Sequence, residues 1–390
     1  MKIGIDKLSF FTPKSYLDMN DLAEARDVDP NKYLIGIGQS KMAVASNNYD
    51  TVAMAANAAD ELLTDKDREE IDMILFATET GVDQSKSAAT WVHHLLGIQP
   101  NVRAVELKQA CYSATASIQL AMGHIALHPE SKVLILASDI AKYGLNTAGE
   151  PTQGAGAVAL LMSANPKLLA IEKESGVYTE EISDFWRPNY SDVPFVDGKY
   201  SVSAYLDTLL ASWTNYKDKT KNTFSDLEAL LFHVPYTKMG KKALKSLEDQ
   251  MSEADYNRFS DYYESAIIYN KIVGNIYTGS LYLSLISLLE QGVDLPSGSR
   301  IGMFSYGSGA VGEFFVGQLE EGYQDNLFKI EHEELLENRQ KLTMEEYESL
   351  LSKGSNLDEE GKLTLNEEFV SENDFIFSGI LENKRQYKKI

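Results

Sequence analysis

Cysteine is nearly missing: Cys111 is the single one in 390 residues. An intramolecular disulfide is therefore excluded, and the composition suits a reducing, cytoplasmic setting. Basic charge is also scarce, with 36 Lys and Arg against 58 Asp and Glu, a formal net charge of −22. Nucleic acid and anionic membranes are poor general partners for such a field. An anionic ligand would need a local cluster of cations. Long apolar runs are lacking too: nothing approaches the roughly 18 uninterrupted apolar residues of a membrane span. "MKIGIDKLSF" has no apolar core behind its lysines, so it does not read as a secretory signal.

What remains is the composition of an ordinary globular protein, 44% hydrophobic and 24% charged, with length enough for a large core. Residues 1–165 alternate between two patterns. "IDMILFATET" (71–80), "KVLILASDIAKYG" (132–144) and "GAGAVALLM" (154–162) read as buried strands. "TVAMAANAADELL" and "CYSATASIQLAMGHIALH" carry apolar residues at helical spacing. This alternation predicts an α/β fold with helices against a parallel or mixed sheet.

A weaker echo follows. "GNIYTGSLYLSLISLLEQG" (274–292) is a small-residue opening followed by a helix, and "SRIGMFSYGSGAVGEFFVGQL" (299–319) is a strand, a Gly/Ser turn and a strand. Each half thus offers an apolar strand, a helix opening on small polar residues and a Gly-rich hairpin, which suggests an internal duplication. Cys111 opens the helix of the first half and Asn275 that of the second, so a pseudo-twofold arrangement would face the two helix starts toward each other. Residues 172–270, rich in aromatics and charges, read as a helical insertion or cap. The tail from about 320 reads as charged surface helices around a loop.

A lone cysteine is often a small buried hydrophobe. Against that reading, Cys111 follows a strand-like stretch and precedes "SATAS", whose small side chains leave room for a substrate. Unpaired N–H groups at a helix start favour the thiolate and could hold an oxyanion on an acyl group bound to sulfur. A nucleophilic cysteine needs a partner base or electrophile, and His233 stands at the end of the apolar run "ALLFH", before Pro235. The adjacent His93 and His94 cannot share a helix face. His124 and His128 have metal-pair spacing but no acidic partner in a zinc pattern. No metal site is expected.

After His233, Lys238, Lys242 and Lys245 fall on one helical stripe with Lys241 beside them. A solvated face is one reading. In so acidic a chain the other is a dock for phosphates such as those of coenzyme A. Glu79 ends "MILFATETG", where a buried strand meets a loop, a usual place for functional groups in α/β sheets. Burial there would raise its pKa and suit it to general-base work. Two motif matches fail on context. "GAGAVA" runs into a strand rather than the helix of a dinucleotide site, and "YGSGA" lacks the first glycine of a nucleophile elbow.

Taken in order, "ATETGVDQSKS", "ELKQACYSAT", "SDIAKYG", "DFWRPNY", "FHVPYTKMGKKAL", "GNIYTGS" and "FSYGSGAVG", with "KYLIGIGQ" before them, resemble the 3-hydroxy-3-methylglutaryl-CoA synthases of the thiolase superfamily. The compact length is similar to that of bacterial members. The resemblance implies a five-layer αβαβα fold from two related halves, residues 1–168 and 169–390, with the insertion in the second. It also implies a homodimer, and condensation of acetyl-CoA with acetoacetyl-CoA and water to HMG-CoA in the mevalonate pathway, without metal or other cofactor.

Carried over by position, Cys111 is the nucleophile that becomes acetylated. Glu79 is the general acid/base, and His233 polarises or protonates the ketone oxygen. Asn275 holds the acetoacetyl group, and Ser308 with its glycine-flanked backbone holds the acyl oxygen. Tyr143, Thr152 and Ser201 match substrate contacts, Lys238 and Lys242 lie near CoA, and Asp29 lies at its entrance. Asp139 and Asp184 support the site. No role is carried onto residues 146–149, because the segment after Tyr143 is one residue longer than in animal members. Two rivals share the fold: a type III ketoacyl-carrier-protein synthase, which needs no carboxylate at position 79, and a non-catalytic acyl-binding protein.

Overall fold

The computed structural model describes residues 1–291, 295–352, 357–358 and 361–390. Apolar runs become ten strands among these: β1 (Ile3–Phe11), β2 (Ile71–Ala77), β3 (Arg103–Leu107), β4 (Lys132–Ala141), β5 (Gly154–Ala164), β6 (Leu169–Ile171), β7 (Gly176–Thr179), β8 (Ala229–Phe232), β9 (Arg300–Gly307) and β10 (Val311–Leu319). They form one sheet in the order β8-β9-β10-β6-β1-β5-β4-β2-β3, with β7 on β10.

The order repeats. In β2-β4-β5-β1 the first pair is parallel and the next two antiparallel, and β8-β9-β10-β6 has the same senses. The repeat joins at β6, where Gly4 pairs with Ala170 on one side and Gln318 with Ala170 on the other.

Alternation along the strands sorts the core into layers. Leu75 and Ala77 of β2, Val133 and Ile135 of β4, and Ile301 and Met303 of β9 point into one cluster. Ile74, Phe76, Leu134 and Leu136 point to a second, and Leu230, Phe232, Phe304 and Phe314 to a third. Helices fill each. Outside the first sheet segment lie α1 (Thr51–Leu62) and α2 (Ala88–Leu95). Between the segments lie α3 (Ser113–Leu127) and, near the other end of the chain, the helix Ser280–Gln291. Against the far face pack α4 (Gly198–Thr220), α5 (Thr237–Ser246) and α6 (Glu253–Ala266); Ser280–Gln291 is α7. Helix, sheet, helix, sheet, helix is the expected five-layer order.

The central helices show why small residues follow Cys111. Ala114, Ile118, Ala121 and Ile125 of α3 recur at helical spacing and are fully buried between the sheet segments. Ser113, Thr115 and Ser117 are buried as well, yet each hydroxyl has a partner, as buried polar groups require.

Two expectations need correction. Residues 172–270 do contain three helices, but they also supply β8, an edge strand of the sheet whose four residues are all buried, so this segment is part of the core and no appended cap. The tail forms the helices Lys329–Glu337 and Met344–Ser352, but it ends in a hairpin, Phe375–Leu381 with Lys384–Lys389. Phe375 and Ile376 of that hairpin pack with α1. The expected loop after residue 352, like the last residue of the expected helix 274–292, falls partly outside the described residues.

Candidate active site

The parallel strands set the site. Glu79 follows the C-terminal end of β2, Cys111 that of β3 and His233 that of β8, the strand ends at which α/β sheets usually carry functional loops. Ala110 takes a left-handed φ of 44°, and the chain turns there from β3 into α3.

The Cys111 thiol donates to Glu79 Oε1 at 3.3 Å. Neither residue is sealed in: Cys111 is partly exposed. Asp139, fully buried at the end of β4, arranges the carboxylate loop. Its Oδ1 accepts from Thr78 Oγ1 at 2.8 Å, from the Glu79 N–H at 2.9 Å and from Thr80 Oγ1 at 2.8 Å. Its Oδ2 accepts from the Thr278 N–H at 3.3 Å. One carboxylate thus ties the Glu79 loop to the segment before α7.

Electrostatics follow from this crowding of acids. Burial raises the pKa of Glu79 well above the usual carboxylate range, and Asp139 pushes the same way. Burial also raises the Cys111 thiol, and Glu79, Asp139 and Asp184 add to it. The thiolate expected at a helix start is therefore not the resting form. One N–H of the helix start, that of Ala114, is already taken by Thr278 Oγ1 at 2.8 Å. Once Glu79 is ionised, the pair is a thiol hydrogen-bonded to a carboxylate, and Glu79 is placed to take the proton.

His233 continues the ladder of β8, its N–H donating to the Phe304 carbonyl at 2.7 Å. Its carbonyl accepts from Tyr205 Oη at 2.7 Å. Burial lowers its pKa to about 3, so the imidazole is neutral. It adjoins β9, whose Ser305 accepts from Thr115 Oγ1 in the first turn of α3 at 2.7 Å.

Asn275 is buried before α7, its Oδ1 accepting from the Tyr277 N–H at 2.8 Å and Ser280 Oγ at 3.0 Å. Asn275 precedes the helix by five residues rather than opening it. Tyr143 hydrogen-bonds to Asn275 and Tyr277, and its ring meets those of Tyr277 and Phe185 at 6.4 and 6.0 Å. The rejected "GAGAVA" glycine has its reason here: a Cβ on Gly154 would lie 2.6 Å from the backbone N and O of Asn275.

Ser308 sits in the turn between β9 and β10, its carbonyl accepting from Gln109 Nε2 at 3.3 Å. Gly307 before it lies against the nucleophile segment, where a Cβ would come 2.5 Å from the Gln109 carbonyl oxygen and 2.7 Å from the Tyr112 nitrogen. Asp184, fully buried, holds this turn from behind. It accepts from Tyr306 Oη at 2.7 Å, the Gly309 N–H at 3.0 Å and Ser201 Oγ at 3.2 Å. Thr152 bonds locally to the Gly149 carbonyl at 2.8 Å.

The lysine stripe divides. Lys241 pairs with Glu264 and Lys245 with Glu248, the solvated-face arrangement. Lys242 lies 3.4 Å from Tyr236 Oη, and neither it nor Lys238 has a carboxylate partner among the described residues. Thr237, which opens α5, packs on Gly38 and donates to its carbonyl at 2.5 Å. The segment from Asp29 to Gly38 is thereby brought beside the two lysines. Asp29 itself is exposed and accepts from the Asn31 N–H at 2.9 Å. His124 is bound to Asp72 at 3.1 Å and His93 to the Gln99 carbonyl at 3.1 Å, away from the site.

Three contributors were not foreseen. Thr278 caps α3 from the other half. Tyr306 links Asp184 to the Ser308 turn. Arg187 donates from Nη2 to the Glu79 carbonyl. Its signal was present in "DFWRPNY", a cation inside an aromatic stretch of an acidic chain.

The comparisons with known proteins fit this geometry. The family described as hydroxymethylglutaryl-coenzyme A synthase N terminal matches residues 1–167, and its C-terminal counterpart matches residues 169–261 and 242–375. The chain is 51% identical over 388 residues to hydroxymethylglutaryl-CoA synthase of Enterococcus faecalis, covering 100% of both. A crystal structure of HMG-CoA synthase complexed with CoA superposes with a TM-score of 0.97 at 43% identity, covering 100% of both chains. A structure of MvaS in complex with 3-hydroxy-3-methylglutaryl coenzyme A gives 0.90 at 36% identity, covering 100% of this chain and 99% of that one. With both family halves present in order and one relative matching from end to end, this chain belongs to the hydroxymethylglutaryl-CoA synthase family.

Proposed function

We propose that the protein condenses acetyl-CoA with acetoacetyl-CoA and water, giving 3-hydroxy-3-methylglutaryl-CoA and free CoA, as an early step of the mevalonate pathway. The observation that carries this is the 3.3 Å contact between the only thiol and a carboxyl of raised pKa, Cys111 with Glu79.

In the first step Glu79 accepts the thiol proton as sulfur attacks acetyl-CoA, and the proton leaves with the CoA thiol. Acetyl-Cys111 results. Glu79, again a carboxylate, then takes a proton from the acetyl methyl, a task to which general-base catalysis contributes about 10²–10⁴-fold. The resulting carbanion attacks the C3 carbonyl of acetoacetyl-CoA. His233, neutral by burial, polarises that oxygen by donating a hydrogen bond rather than by acting as an imidazolium acid. The proton that Glu79 took from the methyl passes to the C3 alkoxide to give the hydroxyl. Asn275 and Tyr143 hold the acetoacetyl group, and Ser308 holds the acyl oxygen of acetyl-Cys111. Water finally cleaves the thioester on Cys111, which restores the thiol and makes the sequence effectively irreversible.

Lys238 and Lys242 receive CoA phosphates, with Asp29 at the entrance and Thr152 and Ser201 along the substrate path. Asp139 and Asp184 act through the groups they position. The halves 1–168 and 169–390 are read as related domains, a division supported by the repeated strand order. A cytoplasmic homodimer is the reading of the whole. Support comes from β3, an edge strand, where Val105 is exposed together with Leu120 and Leu127 of α3.

Mixing the protein with acetyl-CoA and acetoacetyl-CoA should remove the enolate absorbance of the latter and yield HMG-CoA by mass. Turnover of malonyl thioesters in its place would move the protein to the ketoacyl-carrier-protein synthases, and neither reaction would leave an acyl-binding role.

A further inference from the structure

The hairpin that carries Arg187 is built out of the site itself. Phe185–Trp186 pairs with Phe195–Val196, and the stem is closed by the Asp197 N–H on the Asp184 carbonyl at 3.1 Å. Asp184 is the buried carboxylate that also holds the Ser308 turn. From this stem the hairpin makes two contacts inward. The Phe185 ring meets Tyr143 and Tyr277 at 6.0 Å each, the two phenols beside Asn275. Arg187 Nη2 donates to the main-chain carbonyl of Glu79. Outward, Trp186 stacks on Phe195 at 5.6 Å and both remain exposed.

We propose that Arg187 is a positioning residue for Glu79: it fastens the Glu79 carbonyl to the hairpin 185–196, so that the carboxylate stays on the sulfur only while the hairpin is seated on the Tyr143–Tyr277 pair. The reaction it serves is the condensation proposed above, on which this assignment rests.

Asp139 fixes the Glu79 N–H and the threonines on either side, but nothing in that set restrains the carbonyl. That carbonyl belongs to the next peptide, whose Thr80 N–H donates to Thr78 Oγ1 at 2.9 Å; a peptide held at its N–H alone can still tilt its carbonyl, and the Glu79 side chain swings with it. Arginine suits the second anchor because its planar guanidinium is fixed in charge and offers several donors. Its charge matters as well. The groups that face the Glu79 carboxylate are Cys111 before α3, Asp139 on β4, Tyr143 after β4 and Tyr277 before α7, all acidic or neutral, with Arg187 as the cation opposing them. Losing it removes a charge that favours the ionised carboxylate.

The test compares wild type, R187K and R187M in two measurements. Alkylation of Cys111 by iodoacetamide, followed against pH without any CoA ester, reads the thiol–carboxylate pair directly. Its midpoint is expected to move upward by roughly one unit in R187M and by less in R187K, which keeps the charge but not the fork. Steady-state kinetics should show kcat falling at least tenfold in R187M, with KM for both CoA esters within about twofold of wild type and partial recovery in R187K. An unshifted alkylation profile together with an unchanged kcat in R187M would overturn the assignment. So would equal losses in R187K and R187M that track only a lowered melting temperature. A wild-type protein that makes no HMG-CoA sinks the condensation reading, while the alkylation comparison still decides whether Arg187 governs the Glu79–Cys111 pair.

Discussion

Thr278 caps the helix that carries the nucleophile, its hydroxyl accepting from the Ala114 N–H at 2.8 Å across 164 positions of sequence. The same residue gives its own N–H to Asp139. The start of α3 and the start of the α7 segment do face each other, as the internal echo in the sequence implied, and they are joined by one side chain.

Separating the two roles of the thiol–carboxylate pair is the first prediction. E79A should still accept label from acetyl-CoA on Cys111, more slowly for want of its proton acceptor, but lose HMG-CoA formation by about 10²–10⁴-fold, whereas C111S should lose both. Complete absence of covalent label from E79A would mean that Glu79 is needed for acylation itself, and the division proposed here would fail.

The second concerns pH. A carboxyl whose pKa is raised by burial and a neighbouring acid is protonated, and useless as a base, until the pH passes that raised value. The rate should therefore climb with pH, tenfold per unit on its acid limb, from a midpoint well above about 4.3, the ordinary value for Glu. His233, lowered to about 3, should add no limb near neutrality. The linkage has the opposite sign for stability: a raised carboxyl pKa contributes stability that is full below the unfolded value and lost as pH rises through the folded one. The melting temperature of E79Q relative to wild type should accordingly grow between pH 5 and pH 9. A flat rate profile from pH 6 to 8 would contradict the assigned base.

Third, the lysines should separate by partner. K242A and K238A are expected to raise KM for the CoA substrates by about two- to fivefold, the size of an exposed charge contact of roughly 0.5–1 kcal/mol, with kcat little changed. K241A and K245A, whose ammonium groups are engaged by Glu264 and Glu248, should leave KM unaltered. Equal effects from all four would return the stripe to a general surface field.

Fourth, G307A should damage acylation without touching any group that reacts. Its new methyl would press on the backbone of Gln109 and Tyr112, which bracket Cys111, and overpacking of this kind costs on the order of 1–3 kcal/mol. Both the labelling rate and the melting temperature should drop. A normal labelling rate would mean that the segment yields more readily than its contacts suggest.

Much of the fold was readable because the strands of parallel-type sheets are continuous apolar runs, as at residues 71–77, 132–141 and 154–164. The run Ala229–Phe232 read as strand-like before His233, but its place in the main sheet, beside a strand some seventy residues on, has no local signal. The final hairpin escaped notice because its outer face is charged while Phe375 and Ile376 turn inward. Cys111, Glu79 and His233 could be nominated by chemical type and by their place at strand ends. The roles of Arg187 and Thr278 could not, since each acts through a partner more than a hundred residues away. Nor could the protonated resting state of the thiol be read locally, because it depends on burial and on acids from three separate segments.

Strand β6 is three residues long, yet it is stitched to β1 on one flank and to β10 on the other. Hydrogen bonds on both flanks of so short a strand resist a swing of one half of the sheet against the other. Traffic of bulky thioesters must then be handled by the peripheral segments at the rim, and changes in turnover should trace to those flaps while the ten-stranded frame stays still.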